Sequence, residues 1–73
     1  MRQMKLIYRN ERAINHTATG DKARTARMAR GRSLKEVARA MRCSQAFLSD
    51  LELGRRRWTP ENAKAFTAAL NKI

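Results

Sequence analysis

Apolar residues recur at helical spacing just after residue 33, where a capping residue precedes them. Ser33, followed three residues later by Glu36, is the capping-box pairing that marks the start of a helix. The apolar positions that follow are three or four residues apart and would share one helix face: Leu34, Val37, Ala38 and Met41. The pattern therefore predicts a helix of about two turns that begins near residue 34.

A second capping residue follows almost at once. Ser44 comes directly after Arg42 and Cys43, and helical periodicity then resumes at Phe47, Leu48 and Leu51. Gly54 offers a C-terminal stop for this second helix. The stretch therefore predicts two short helices that meet at a tight corner, with Cys43 as a small buried residue between them.

Two further helices are predicted on either side of this pair. The first runs from Gly20 or Asp21 to Arg30, and the last begins with Thr59 as cap and Pro60 at its first position. The last helix carries an inner stripe of Ala63, Phe66, Ala69 and Leu70. We therefore expect an all-α fold, a small four-helix domain over residues 20–73.

Residues 1–19 form a separate basic segment in this interpretation, because they show no helical stripe. Leu6, Ile7 and Tyr8 favour a strand and lie between charged residues. This run is either a short β-strand, which would pair with its copy in a second subunit or lie along the helical body, or part of a flexible arm that orders on DNA. Residues 10–19 read as a polar linker in which His16 is solvated.

Length and charge narrow the classes of function. The chain has 73 residues and a formal net charge of +11, which suits one small domain with a phosphate-bearing partner. Residues 1–32 carry +7 and residues 33–73 carry +4. The first predicted helix has cations on its outer face that would either meet phosphate or simply be solvated: Lys22, Arg24, Arg27 and Arg30.

Several classes of function are disfavoured by what the sequence lacks. A core of about a dozen side chains leaves no room for an enzyme cleft, so we expect neither catalysis nor a cofactor. One cysteine and one histidine provide no internal disulfide and no metal cluster. No apolar run is long enough to span a bilayer, and neither a membrane partner nor a signal peptide is expected, so we predict a cytoplasmic protein.

The stretch GRSLKEVARAMRCSQAFLSDLELG resembles the helix-turn-helix of the phage Cro and lambda-repressor-like family, also called the XRE family. The resemblance extends over roughly residues 20–70. Ala38 stands at the family's small crossing position. Arg42 stands at the turn position that usually holds a glycine with positive φ. The resemblance implies that the second helix of the pair, about residues 44–53, enters the DNA major groove.

The resemblance also implies which residues would contact DNA. The residues expected to face the bases are Ser44, Gln45, Ala46, Ser49 and Asp50. Backbone contacts are expected from Arg32, Ser33, Lys35, Arg42, Arg55, Arg56 and Arg57. Trp58 either covers the core, the interpretation that we favour, or stacks on the sugar-phosphate backbone.

The resemblance implies a sequence-specific regulator, most simply a small repressor of the kind that phages and mobile elements encode. Such a repressor would bind double-stranded DNA as a homodimer. In many relatives the dimer contact lies on a fifth helix, and this chain ends before such a helix. Either the monomer binds DNA alone, or Leu6, Ile7 and Tyr8 supply a different two-fold contact. We favour the second alternative, because each half-site of a palindromic operator contributes separately to the binding of a dimer. Two alternatives stay open, an antitoxin-type autoregulator with a protein partner and a basic RNA-binding domain.

Overall fold

The computed structural model describes residues 15–73. Within that range the fold is all-helical and contains no strand. Its four helices are α1 (His16–Ala29), α2 (Leu34–Met41), α3 (Gln45–Leu53) and α4 (Pro60–Lys72). The expected fold class is therefore confirmed for the described part of the chain. The predicted division at residue 20 stays a prediction, and Leu6, Ile7 and Tyr8 lie outside the described residues.

Local capping determines where the last three helices begin. Ser33 and Glu36 form the predicted capping box, with the Ser33 hydroxyl accepting the Glu36 amide at 3.0 Å and the Glu36 carboxylate accepting the Ser33 amide at 2.9 Å. Ser44 accepts the Phe47 amide at 3.0 Å, and Thr59 accepts the Asn62 amide at 3.1 Å. Each cap satisfies an amide that would otherwise lack a partner in the helix.

Helix α1 begins earlier than its predicted start at Gly20 or Asp21. The Asn15 side chain accepts the Ala18 amide at 3.0 Å and caps the helix, so residues 16–19 are helical rather than linker. Gly20 lies inside the helix, where it is buried. A Cβ on Gly20 would lie 2.5 Å from the Glu52 carbonyl oxygen, and closer still to that of Leu51. Gly20 is therefore the residue that allows α1 to cross the end of α3.

The core forms where α1 packs on α3 and α2 packs on both α3 and α4. Its fully buried members include Val37, Leu48 and Leu51. Trp58 is 2 % exposed, donates its indole N–H to the Leu51 carbonyl at 2.9 Å and meets Phe66 edge-on. Its predicted place in the core is confirmed, and the alternative of stacking on DNA is wrong. All four predicted stripe residues of α4 are buried as well.

Candidate nucleic-acid interface

The corner between α2 and α3 has the geometry of a tight helix-turn-helix. Arg42 caps α2 in the left-handed conformation, with φ of 62° and ψ of 43°, as the resemblance implied for this position. The Cys43 amide donates to the Ala38 carbonyl at 3.0 Å, and Ser44 then caps α3. Ala38 is 2 % exposed, which fits its place beside the crossing helix. Cys43 is half-buried, and this burial raises the pKa of its thiol.

Helix α3 has one buried face and one accessible face. Leu48 and Leu51 are fully buried, so the rotation of α3 about its own axis is fixed by the core. The five residues predicted to read bases lie away from that buried face: Ser44, Gln45 and Ala46 are exposed, and Ser49 and Asp50 are half-buried. The first turn of α3 therefore offers side chains to a ligand without disturbing the core.

The predicted reading residues also group by position along the helix. Gln45 and Ser49 are four residues apart, as are Ala46 and Asp50, so each pair lies on one side of adjacent turns. The Ser44 hydroxyl accepts the Phe47 amide, which leaves its own proton available for donation. The Asp50 carboxylate makes no hydrogen bond or ion pair with another described residue. The structure therefore places all five predicted residues at the cap and in the first two turns of α3.

The three arginines that follow α3 are exposed beside this face. The amides of Arg55 and Arg56 donate to the Asp50 carbonyl at 2.8 and 3.3 Å, which ties the loop to the end of α3. The Arg56 guanidinium lies 4.7 Å from the centre of the half-buried Phe47 ring, in a cation–π contact. A concavity of about 470 Å³ lies between this loop, Asp50 and the start of α4. The arrangement places positive charge next to the first turn of α3.

The other residues predicted to contact the DNA backbone differ in whether they are already bound to groups within the domain. Lys35 and Arg42 are exposed. The Arg32 guanidinium donates to the Glu36 carboxylate at 3.3 Å and to the Ile73 carbonyl at 2.8 Å. The Ser33 amide is already bound by Glu36, and this hydrogen bond lowers the pKa of Glu36. Arg32 and Ser33 are therefore engaged within the domain, and their contact with DNA stays a prediction.

One ion pair between α1 and α3, which the sequence pattern did not predict, holds α3 in place. Arg27 binds both carboxylate oxygens of Glu52, at 2.8 and 3.0 Å, and donates to the Arg32 carbonyl at 2.9 Å. The side chains are 12 % and 4 % exposed, and the hydrogen bond to Glu52 raises the pKa of Arg27. Arg27 thus does not belong to the cationic outer face, phosphate-bound or solvated, that we predicted for α1. Its partner lies on another helix, so the spacing within α1 gave no signal for the pair.

The sequence pattern also predicted that His16 is solvated, and the structure shows that this prediction is wrong. It is the first residue of α1, is half-buried, and its Nδ1 accepts the Trp58 amide at 3.0 Å. This hydrogen bond joins the start of α1 to the loop that carries the arginines. His16 therefore has a structural contact that a local reading of Asn15, His16 and Thr17 could not reveal.

Comparisons with known proteins agree with this geometry. A family model described as a helix-turn-helix domain matches residues 18–71. The chain is 40 % identical over 58 residues to proteins named transcriptional regulator ClgR from Mycobacterium tuberculosis, in strains CDC 1551 / Oshkosh and ATCC 25618 / H37Rv. Each alignment covers 80 % of this chain and 52 % of the relative, so the chain spans about half the length of the curated relatives that it matches. No solved structure gives a significant match.

Proposed function

This chain belongs to the helix-turn-helix domain family, of the XRE-like kind, and from that premise we propose that it is a sequence-specific DNA-binding regulator of transcription. The observation that carries the proposal is the first turn of α3. Its side chains are accessible while the opposite face of the same helix is fixed in the core. A helix held in this way can enter a major groove as a rigid element.

The chemistry of the cap and the first two turns of α3 suits the edges of base pairs. The Gln45 amide can bind adenine through two hydrogen bonds, and the Ala46 methyl can contact the methyl of thymine. Ser44 and Ser49 can donate to or accept from a base. Asp50, whose carboxylate has no partner among the described residues, can accept from the amino group of cytosine.

Exposed cations beside the turn would contact the phosphates. Lys35, Arg42, Arg55 and Arg56 are exposed and flank the corner or follow α3. Arg57 is exposed too, and Arg32 and Ser33 would have to exchange their internal partners for phosphate. These contacts would supply affinity and its dependence on salt, but little sequence preference.

The simplest regulator of this design is a repressor that binds a palindromic operator as a dimer, in which each subunit reads one half-site. We assign the dimer contact to Leu6, Ile7 and Tyr8, which lie outside the described residues. An RNA-directed function has less support, because Trp58 and Phe66 are buried and unavailable to stack on bases. A cytoplasmic location and the absence of catalysis belong to the same proposal.

The proposed roles can be tested by selecting preferred duplexes from a random DNA library with three proteins: the natural chain, Gln45→Ala and Lys35→Ala. Gln45→Ala should lose preference at one base position, worth about 1–3 kcal/mol, and leave the others intact. Lys35→Ala is the matched control on the neighbouring helix. It should weaken all duplexes alike and reduce the salt slope by about one. Identical preferences for Gln45→Ala and the natural chain would contradict base reading by α3.

A further inference from the structure

A groove lies between α1 and α4. The residues that line it do not belong to the surface proposed to read DNA. These two helices make little direct contact with one another, and they leave an open groove of about 300 Å³. We call it the α1–α4 groove. Its apolar lining includes Ala23, Ala26, Trp58, Ala63, Phe66 and Leu70.

The groove exists because the side chains along its walls are small. Ala23 and Ala26 on α1 face Ala63 on α4, and none of these methyl groups can fill the gap. The large side chains Trp58 and Phe66 lie deeper and form part of the core. The core residues that line the groove are already largely shielded from water, with exposed fractions of 2–8 %. An apolar side chain in the groove would therefore gain mainly van der Waals contacts with the half-buried Ala26 and with the edges of these residues.

The rim of the groove is cationic. Lys22 and Arg30 border it, and no acidic residue of the described range 15–73 lines it. Lys22 is exposed and makes no hydrogen bond or ion pair with another described residue. Arg30 uses one N–H to bind the Leu70 carbonyl at 2.8 Å, which leaves further donors on its guanidinium. The two cations are eight residues apart on α1 and hence about 12 Å apart along the helix axis.

We propose that the α1–α4 groove binds an acidic amphipathic helix of a partner protein. Such a helix would lay an apolar side chain against Ala26 and Phe66 and direct carboxylates two turns apart at Lys22 and Arg30. The lining of the groove along α1, from Thr19 to Arg30, covers about 16 Å, which three turns of a helix match. A helix of a second copy is disfavoured in this groove, because none of the four described helices carries two carboxylates two turns apart that could meet Lys22 and Arg30.

This surface is independent of the proposed DNA contact. None of the groove residues belongs to the reading turn of α3 or to the arginines that follow it. Partner and DNA could therefore be bound at the same time. The inference goes beyond the proposed function and does not require it.

The test is a titration of the full chain with a synthetic helical peptide that carries leucines on one face and glutamates two turns apart. A peptide of identical composition in scrambled order is the control. Binding is followed by amide chemical shifts in NMR spectra and by the fluorescence of Trp58, the one tryptophan of the chain. Two charge reversals on the same helix are compared. Lys22→Glu alters the rim, and Arg24→Glu alters an exposed residue that does not line the groove.

We expect shifts at Ala23, Ala26 and Phe66. Lys22→Glu should weaken peptide binding by about five-fold or more, and Arg24→Glu by less than about two-fold. The proposal is overturned if the scrambled peptide binds equally well, if the shifts are confined to residues 55–57, or if the two reversals act alike. It is also overturned if contacts from residues 6–8, of the same chain or of a second copy, fill the groove in the free protein.

Discussion

Arg27 and Arg56 have the same side chain but lie in different surroundings. Arg27 is enclosed between α1 and α3, where both oxygens of Glu52 bind it. Arg56 is exposed and makes a cation–π contact with the Phe47 ring. Their neighbours within the sequence do not distinguish them, because the partner that buries Arg27 is 25 residues away. Single residues with distant partners are thus the part of this site that sequence spacing could not predict.

The ion pair of Arg27 and Glu52 leads to a prediction about stability. Arg27→Met should lower the free energy of unfolding by about 3–5 kcal/mol, because it leaves the buried Glu52 carboxylate without its partner. Replacing both residues, as Arg27→Met with Glu52→Leu, should restore most of that loss. Urea denaturation measures the difference.

Arg24→Met is the matched control, since Arg24 is exposed on the same helix. It should change stability by less than about 0.5 kcal/mol. An equal effect of Arg24→Met and Arg27→Met would show that the ion pair does not hold α1 to α3.

Glu36 provides a prediction about pH. The Ser33 amide lowers the pKa of Glu36 in the folded state below its ordinary 4.5. A carboxylate with a lowered pKa contributes stability above the unfolded pKa, and this contribution is lost as the pH falls through the folded pKa. Glu36→Gln keeps a side chain that suits the capping box but removes the titration.

The stability advantage of the natural chain over Glu36→Gln should therefore be constant at neutral pH and shrink below about pH 4.5. Thermal unfolding measured from neutral to acidic pH tests this. Parallel stability curves for the two proteins over the whole range would contradict the assigned hydrogen bond.

At the scale of helices, local chemistry made α2, α3 and α4 predictable. Ser33, Ser44 and Thr59 each cap the helix that the sequence assigned to them, and Gly54 ends α3 in the left-handed conformation. These signals lie within one turn of the boundary that they mark. Boundaries of this kind can be read from sequence because both partners of each capping hydrogen bond are near neighbours.

Helix α1 was harder to predict, because a glycine in it has a role in packing. Gly20 was taken for the start of the helix, whereas Asn15 caps it and Gly20 lies where the backbone of α3 passes. A glycine is a weak helix former, so local propensity favoured a boundary there. The close approach of two helices, which requires a residue without Cβ, became visible only in three dimensions.

The corner between α2 and α3 yields a further prediction. Arg42 adopts φ of 62°, a conformation that costs a residue with a Cβ about 1–2 kcal/mol and that glycine adopts freely. Arg42→Gly should therefore raise the free energy of unfolding by up to about 1 kcal/mol, after the added flexibility of the unfolded chain is counted.

The control is Arg39→Gly, at an exposed position inside α2, which should lower stability by about 1 kcal/mol. Urea denaturation again measures both changes. A loss of stability in Arg42→Gly would contradict the conformation assigned to the turn.

The whole molecule combines a helix whose inner face is fixed in the core, α3, with a strong positive charge. Part of the positive charge is paired with carboxylates of the same domain, as at Arg27 and Arg32, while the arginines after α3 remain exposed at the proposed interface. The resemblance seen in the sequence predicted the helix-turn-helix and its orientation in the fold. The dimer contact that we propose lies in residues 6–8, outside the described residues.

The most direct test of the account is the affinity of the full chain for its preferred duplex and for a scrambled duplex of equal length, at two salt concentrations. We predict a preference above about 10³-fold that falls by about 5- to 150-fold in Gln45→Ala, because one base contact worth about 1–3 kcal/mol is lost, while the scrambled duplex binds both proteins equally. Affinity for both duplexes should fall steeply with salt. Equal affinity of the natural chain for the two duplexes at both salt concentrations would contradict sequence reading by α3.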